Sequence, residues 1–191
     1  MIRPDYSDKE SVRNYFLSKR RDLDSNTVIR KSKEIRTKLF ETAVFKKAKT
    51  IHTYVSIVKQ NEVLTQPIIE AAFNDEKCVI VPKMVKDAQL RHYEIDTLSE
   101  LKVNTWGVPE PISDSPYPIE DIDLVIVPMV VGDRFKNRIG YGKGYYDRFL
   151  SKINAFKIGL LFQSQLSEVK LPAEEFDVKL DMLLTESEEI I

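Results

Sequence analysis

Residues 137–149, NRIGYGKGYYDRF, hold three of the chain's six glycines, Gly140, Gly142 and Gly144. Arg138 and Lys143 stand among them, and Asp147 follows. Glycine carries no Cβ, so its backbone can approach a phosphate closely. Arginine adds a forked cation and lysine a mobile one. An aspartate can hold a magnesium ion that bridges phosphates. These residue types together fit a polyphosphate site. Their spacing fits neither common phosphate motif. A P-loop needs Ser or Thr after its lysine, and here Gly144 follows Lys143; a dinucleotide fingerprint needs G-x-G-x-x-G, and here the run is G-x-G-x-G. A tight structural turn flanked by ordinary charges is the competing reading, and these residues alone leave both open.

Other candidate chemistry is sparser. Ser7 and Glu10 form a capping box for a first helix, whose apolar stripe is Val12, Phe16 and Leu17. Lys9 and Arg13, four apart, project from one face of it, with Arg20 near the same side. A wet basic surface is the plainer account of that face. Glu62 follows a strand-like run and is well placed to meet a ligand, although a lone glutamate in a loop is usually decoration. His52 and His92 lie in strand-like stretches without zinc-site spacing, and His52 reads as a core histidine. No G-x-S-x-G elbow occurs. The acidic stretch 174–181, EEFDVKLD, reads as solvated surface with one member available to a metal. Trp106, the only tryptophan, reads as an anchor under its loop or as a stacking face for a flat heterocycle. The single cysteine, Cys78, excludes an intramolecular disulfide and reads as a buried thiol.

The elements that must position these groups alternate in type. A second helix runs from the cap region DLDSNT to about Glu41. Strand-like runs IHTYVSIV (51–58), CVIVP (78–82), DLVIVPMVV (123–131), FKIGLLF (156–162) and DMLLT (181–185) are interleaved with helical TQPIIEAAFND (65–75) and YYDRFLSKI (145–153). LRHYEI (90–95) reads as an edge strand, and the proline-rich stretch 108–118 as a surface loop. The pattern predicts an α/β fold: an open, mostly parallel sheet with helices on both faces, in a single domain of 1–191. The glycine loop follows a central strand, 124–131, and opens a helix, a place where anions bind. A net charge of −1 supplies no general field for nucleic acid. The longest apolar run is far short of the roughly 20 residues that cross a bilayer. The start lacks a signal-peptide core. The chain therefore reads as a cytoplasmic monomer with small-molecule partners.

The motif NRIGYGKGYYDRF, preceded by DLVIVPMVVGDRF, closely resembles the signature of the 5-formyltetrahydrofolate cyclo-ligase family, also called methenyltetrahydrofolate synthetases. KESVR (9–13), EVLT (62–65), WGVPEP (106–111) and FDVKLD (176–181) occur in the family's order, so the resemblance spans nearly the whole chain. It implies an ATP-dependent, Mg²⁺-requiring ligase of one-carbon metabolism that turns 5-formyltetrahydrofolate into 5,10-methenyltetrahydrofolate. Carried over, Lys9, Arg13, Arg138, Gly140, Tyr141, Gly142, Lys143, Gly144 and Tyr145 bind ATP, with Lys143 and Arg138 catalytic. Asp147 and Asp177 hold the metal. Glu62, Trp106, Tyr145 and Tyr146 line the folate pocket. The chain departs from the family pattern at Lys136, where glycine is usual and Asn137 is expected to make the turn, and at Leu64, where an acid is common.

Overall fold

The computed structural model describes residues 3–191. In chain order the elements are α1 (Lys9–Arg21), α2 (Ser25–Glu41), α3 (Ala43–Lys47), β1 (Thr50–Thr53), α4 (Gln66–Asn74), β2 (Cys78–Val85), β3 (Gln89–Ile95), β4 (Leu101–Val103), β5 (Pro109–Pro111), β6 (Leu124–Val127), β7 (Val131–Asp133), β8 (Arg138–Ile139), α5 (Tyr145–Leu150), β9 (Phe156–Leu160), β10 (Leu166–Ser167), β11 (Met182–Leu184) and β12 (Glu189–Ile190). The main sheet has seven strands in the order β12-β11-β9-β6-β1-β2-β3. Its five inner strands are parallel, while β12 and β3 join antiparallel at the edges. LRHYEI is thus an edge strand, as its alternation predicts.

Both faces of the sheet are covered, which is why its central strands are apolar throughout. Successive side chains of a strand point to opposite faces. Leu124 and Ile126 of β6 pack with Ile35 and Leu39 of α2 and Ile68 of α4. Val125 and Val127 pack on the other face with Phe149 and Leu150 of α5. Each such side chain contributes about 1.5–3 kcal/mol on burial. Helix α1 lies over a separate three-stranded sheet, β10-β7-β8, through Val12 and Phe16 against Val130, Val131 and Ile139.

Four expectations are corrected. The apolar run 123–131 is two strands: β6 ends at Val127 because Pro128 offers no N–H to the ladder, and the chain restarts as β7 in the smaller sheet. The glycine loop consequently follows β8, not the central strand. CVIVP continues through Pro82 to Val85; Pro82 lies beyond the last β1–β2 pair at Ile80, so no ladder bond is lost on that side. Within 108–118, Pro109–Pro111 pairs with β4 as a hairpin instead of a plain loop. Asp8, not Ser7, caps α1: its two oxygens accept from Glu10 N and Ser11 N, and its charge suits the helix dipole.

Strand β1 has β2 on one side and β6 on the other, although β6 follows later in the chain. Strand order reverses between β1 and β6, and ligands of open α/β sheets enter at that point, beyond the carboxyl ends. Connections leaving Thr53 and Val127 build the site.

Candidate active site

The glycine loop spans β8 and α5, and a buried carboxylate aims it. Asp133, fully buried, accepts from Phe135 N (2.8 Å), Asn137 N (2.9 Å), Asn137 Nδ2 (2.8 Å) and Leu171 N (2.8 Å). Four donors compensate its burial. Lys136 itself takes the left-handed turn, with φ +65°, so Asn137 does not take over from the family's glycine. Asn137 instead contributes its amide to Asp133.

Within the loop, Gly142 has φ +86°, and a Cβ there would stand 3.0 Å from Arg13 Cζ. Glycine thus both permits the left-handed backbone and lets the guanidinium lie on it. Arg13 Nε donates to Gly140 O at 2.8 Å. Arg138, with its side chain buried, donates from Nη2 to Asp147 Oδ1 at 2.7 Å; Val178 N donates to the same oxygen at 3.2 Å. Arg138 Nε is buried with no partner among the described residues. Lys9 bridges Glu174 (2.5 Å) and Asp177 (2.6 Å). Lys143 is exposed; its carbonyl accepts from Arg148 Nη1 at 2.9 Å. The fold therefore brings Arg13, Arg138 and Lys143 to one loop, and joins Lys9 to it through 174–178. Its four cations, Lys9, Arg13, Arg138 and Lys143, outnumber the three acids Asp147, Glu174 and Asp177 by one, an arrangement suited to an anion.

A second cluster lies at the strand-order reversal. Glu62, buried, accepts from Ile57 N at 2.7 Å through Oε2 and from the Tyr141 hydroxyl at 2.5 Å through Oε1. Burial pushes its carboxyl above the usual range, while those two hydrogen bonds and the Arg20 charge pull it back. Arg20, only 1% exposed, donates from Nη2 to Tyr141 Oη (2.6 Å) and from Nη1 to Met129 O (3.3 Å). The Tyr141 hydroxyl thus belongs to the Glu62 cluster. Tyr146 keeps a buried hydroxyl without a partner, among the described residues, and burial raises its pKa. Tyr145 lines a different cavity, of about 100 Å³, with Leu90, His92 and Arg148. Trp106 is 75% exposed in the β4–β5 turn, so it anchors nothing beneath its loop. The hairpin that carries Trp106 pairs β4 with β5 and packs against β2.

Sequence reasoning missed Asp133 and the depth of Arg20. A signal existed for Arg20. Val12, Phe16 and Arg20 recur every fourth residue, which places the arginine on the buried stripe of α1.

Compared with known proteins, the chain matches the 5-formyltetrahydrofolate cyclo-ligase family over residues 5–186. It belongs to that family. The chain is 31% identical to a probable 5-formyltetrahydrofolate cyclo-ligase of Schizosaccharomyces pombe, across 93% of this chain and 94% of that protein. It is 33% identical to 5-formyltetrahydrofolate cyclo-ligase of Escherichia coli K12 across 73% and 79%. Its fold is similar to the solution structure of Aquifex aeolicus 5,10-methenyltetrahydrofolate synthetase, with TM-score 0.83, 32% identity, and coverage of 95% of this chain and 91% of that one. A Mycoplasma pneumoniae 5,10-methenyltetrahydrofolate synthetase structure is similar at TM-score 0.76 and 25% identity.

In this cyclo-ligase chain a magnesium ion would have few protein donors at the glycine loop. Among the described residues no three metal-ligating side chains converge. Asp147 Oδ2 and Asp177 Oδ1 stay outside the hydrogen bonds just described, which use Asp147 Oδ1 and Asp177 Oδ2. Magnesium typically keeps several waters and binds through one or two carboxylates plus substrate phosphates, so the free oxygens of Asp147 and Asp177 suit it by donor type.

Proposed function

We propose that this chain, acting as one cyclo-ligase domain over 1–191 and as a cytoplasmic monomer, converts 5-formyltetrahydrofolate to 5,10-methenyltetrahydrofolate at the expense of ATP. The observation that carries this reading is the pairing of two unlike half-sites across one loop: a cation-lined glycine turn on one side, and on the other a buried acceptor, Glu62, suited to the N–H-rich edge of a pterin. Lys9, Arg13, Lys143 and the backbone of 140–144 hold the triphosphate. Arg138 and Lys143 face the charge that develops on the γ-phosphoryl group. Glu62 and Tyr146 hold the folate, with Tyr145 and Trp106 along its outer part. A magnesium ion on Asp147, with Asp177 as second acid, would neutralise phosphate oxygens.

The formyl oxygen attacks the γ-phosphorus and ADP departs, leaving an N5-linked formyl phosphate. N10 then attacks the formyl carbon and loses its proton. The C–O bond breaks, inorganic phosphate leaves, and the methenyl bridge remains. No enzyme nucleophile is required. The residues act by holding the reactants in line and by placing positive charge where negative charge accumulates.

The test is methenyl formation followed by absorbance, with ADP release measured in parallel. Product is expected only when 5-formyltetrahydrofolate, ATP and magnesium are all present, with one ADP per methenyl formed. Folate-independent ADP release, or no methenyl product under the full mixture, would refute the proposal.

A further inference from the structure

A hydrogen-bonded chain crosses three elements: Arg20 in α1, Tyr141 in the glycine loop, and Glu62 after β1. Its direction is fixed by chemistry. Arginine only donates, so the Tyr141 oxygen accepts from Arg20 Nη2 at 2.6 Å and spends its single proton on Glu62 Oε1 at 2.5 Å. Ile57 N–H occupies Oε2 at 2.7 Å. Both oxygens of Glu62 therefore act as acceptors, the role of a carboxylate and not of a carboxylic acid. Next to Glu62, Asn61 takes a left-handed conformation, φ +52°, and donates Nδ2 to Arg20 O (3.2 Å) and Leu23 O (2.8 Å) at the end of α1. The Glu62 segment is thus docked on α1 by two neighbouring residues. Arg20 and Glu62 also share a cavity of about 10 Å³ with Gln165, and Arg20 Nε is buried and unpartnered among the described residues.

We infer that Arg20 is a positioning residue for the folate half of the site: through the Tyr141 hydroxyl it holds the Glu62 carboxylate in the orientation that accepts the substrate's polar edge. The inference rests on the proposed cyclo-ligase reaction and goes beyond it, because it gives α1 work on both substrates. Lys9 and Arg13 serve the phosphates, and two turns further Arg20 serves the folate. It also reassigns the Tyr141 side chain. Its backbone stays with the phosphate loop, while its hydroxyl belongs to Glu62.

The groups facing Glu62 are few. Besides Arg20 and Tyr141 they are Tyr54 and Tyr146, phenols that burial keeps protonated; Tyr54 donates to Val63 O at 3.1 Å. None of these replaces the guanidinium charge. Removing Arg20 should therefore favour protonated Glu62, and the acid limb of kcat/KM for 5-formyltetrahydrofolate should move to higher pH.

The experiment compares wild type, Arg20→Met, Arg20→Lys, Tyr141→Phe and the Arg20→Met/Tyr141→Phe double variant in the methenyl assay across pH. In Arg20→Met and in Tyr141→Phe, KM for 5-formyltetrahydrofolate is expected to rise about tenfold at neutral pH, the scale of one lost charge-assisted hydrogen bond. KM for ATP should hold within about twofold, and the acid limb should move up by about one pH unit. Arg20→Lys should recover part of the loss. The double variant should lose less than the sum of the two single losses, since part of the Arg20 effect passes through that hydroxyl. If Arg20→Met does not fold, Tyr141→Phe carries the pH and KM readouts by itself. Equal changes in both KM values, an unmoved acid limb in Tyr141→Phe, or full additivity in the double variant would overturn the inference while leaving an active wild type intact. A wild type that makes no methenyl product would instead overturn the proposed reaction.

Discussion

Lys143 is the exposed cation of the glycine loop, whereas Arg138 is pinned by Asp147, so in the proposed reaction Lys143 is the cation free to follow the transferring phosphoryl group. Loss of one well-placed donor at a developing charge costs about 3 kcal/mol, so Lys143→Ala should lower kcat/KM by about a hundredfold or more. Because Lys143 is exposed, the thermal midpoint should not change. Steady-state kinetics beside a melting curve checks both; an unchanged kcat/KM removes Lys143 from the mechanism. Lys136 presents the opposite case. It holds φ +65° where a left-handed backbone costs a non-glycine residue about 1–2 kcal/mol. Part of that relief is offset by glycine's greater freedom when unfolded, so Lys136→Gly should stabilise by about 0.5–1 kcal/mol in urea titration. A lower urea midpoint would show that the Lys136 side chain is needed where it stands.

At the level of elements, the small sheet β10-β7-β8 sets the direction of the glycine loop. Asp133 ties β7 to the turn before β8 and to Leu171, and Arg138 follows that turn directly. Asp133→Ala would strip the acceptor from several buried donors. At about 1–3 kcal/mol for each unsatisfied group, partly relieved by rearrangement, stability should fall by about 3 kcal/mol or more. Equilibrium unfolding measures this, and a loss below about 1 kcal/mol would mean that the turn is held by other contacts. Helix α1 is the other decisive element. Its cap and charge pattern are local, but the sheet it covers is supplied by residues more than a hundred positions later.

Across the whole molecule, acid stability turns on the two histidines at the β1 and β3 positions of the sheet. His52 Nε2 and His92 Nδ1 lie 3.1 Å apart, with His92 stacked on Phe149 at 4.2 Å. Burial drives His52 well below the ordinary imidazole range, helped by His92; burial, with the Lys152 charge, brings His92 down to about 4. The unfolded chain takes up protons near pH 6.5, and the folded chain does so only lower down. Stability is therefore complete above about pH 6.5 and is lost as pH falls toward 4, by about 2–3 kcal/mol from His92 alone. Urea midpoints at pH 7 and pH 4.5 should differ more for wild type than for His92→Gln. Equal differences would place the acid sensitivity elsewhere.

The fold class and the glycine turn were legible in the chain because each rests on local chemistry. β-Branched apolar runs make buried strands, and closely spaced glycines make a turn with left-handed backbone at Gly142 and Gly144. His52 as a core residue was legible for the same reason. What tertiary structure alone decided depends on partners distant in sequence. Pro128 diverts an apolar run into a second sheet, and the β4–β5 hairpin leaves Trp106 in solvent instead of beneath a loop. Above all, Arg20, Glu62 and Tyr141 become one hydrogen-bonded unit only when α1, β1 and the glycine loop converge. A buried charge is tolerated only where fixed acceptors and donors meet it, and their positions are a property of the assembled fold.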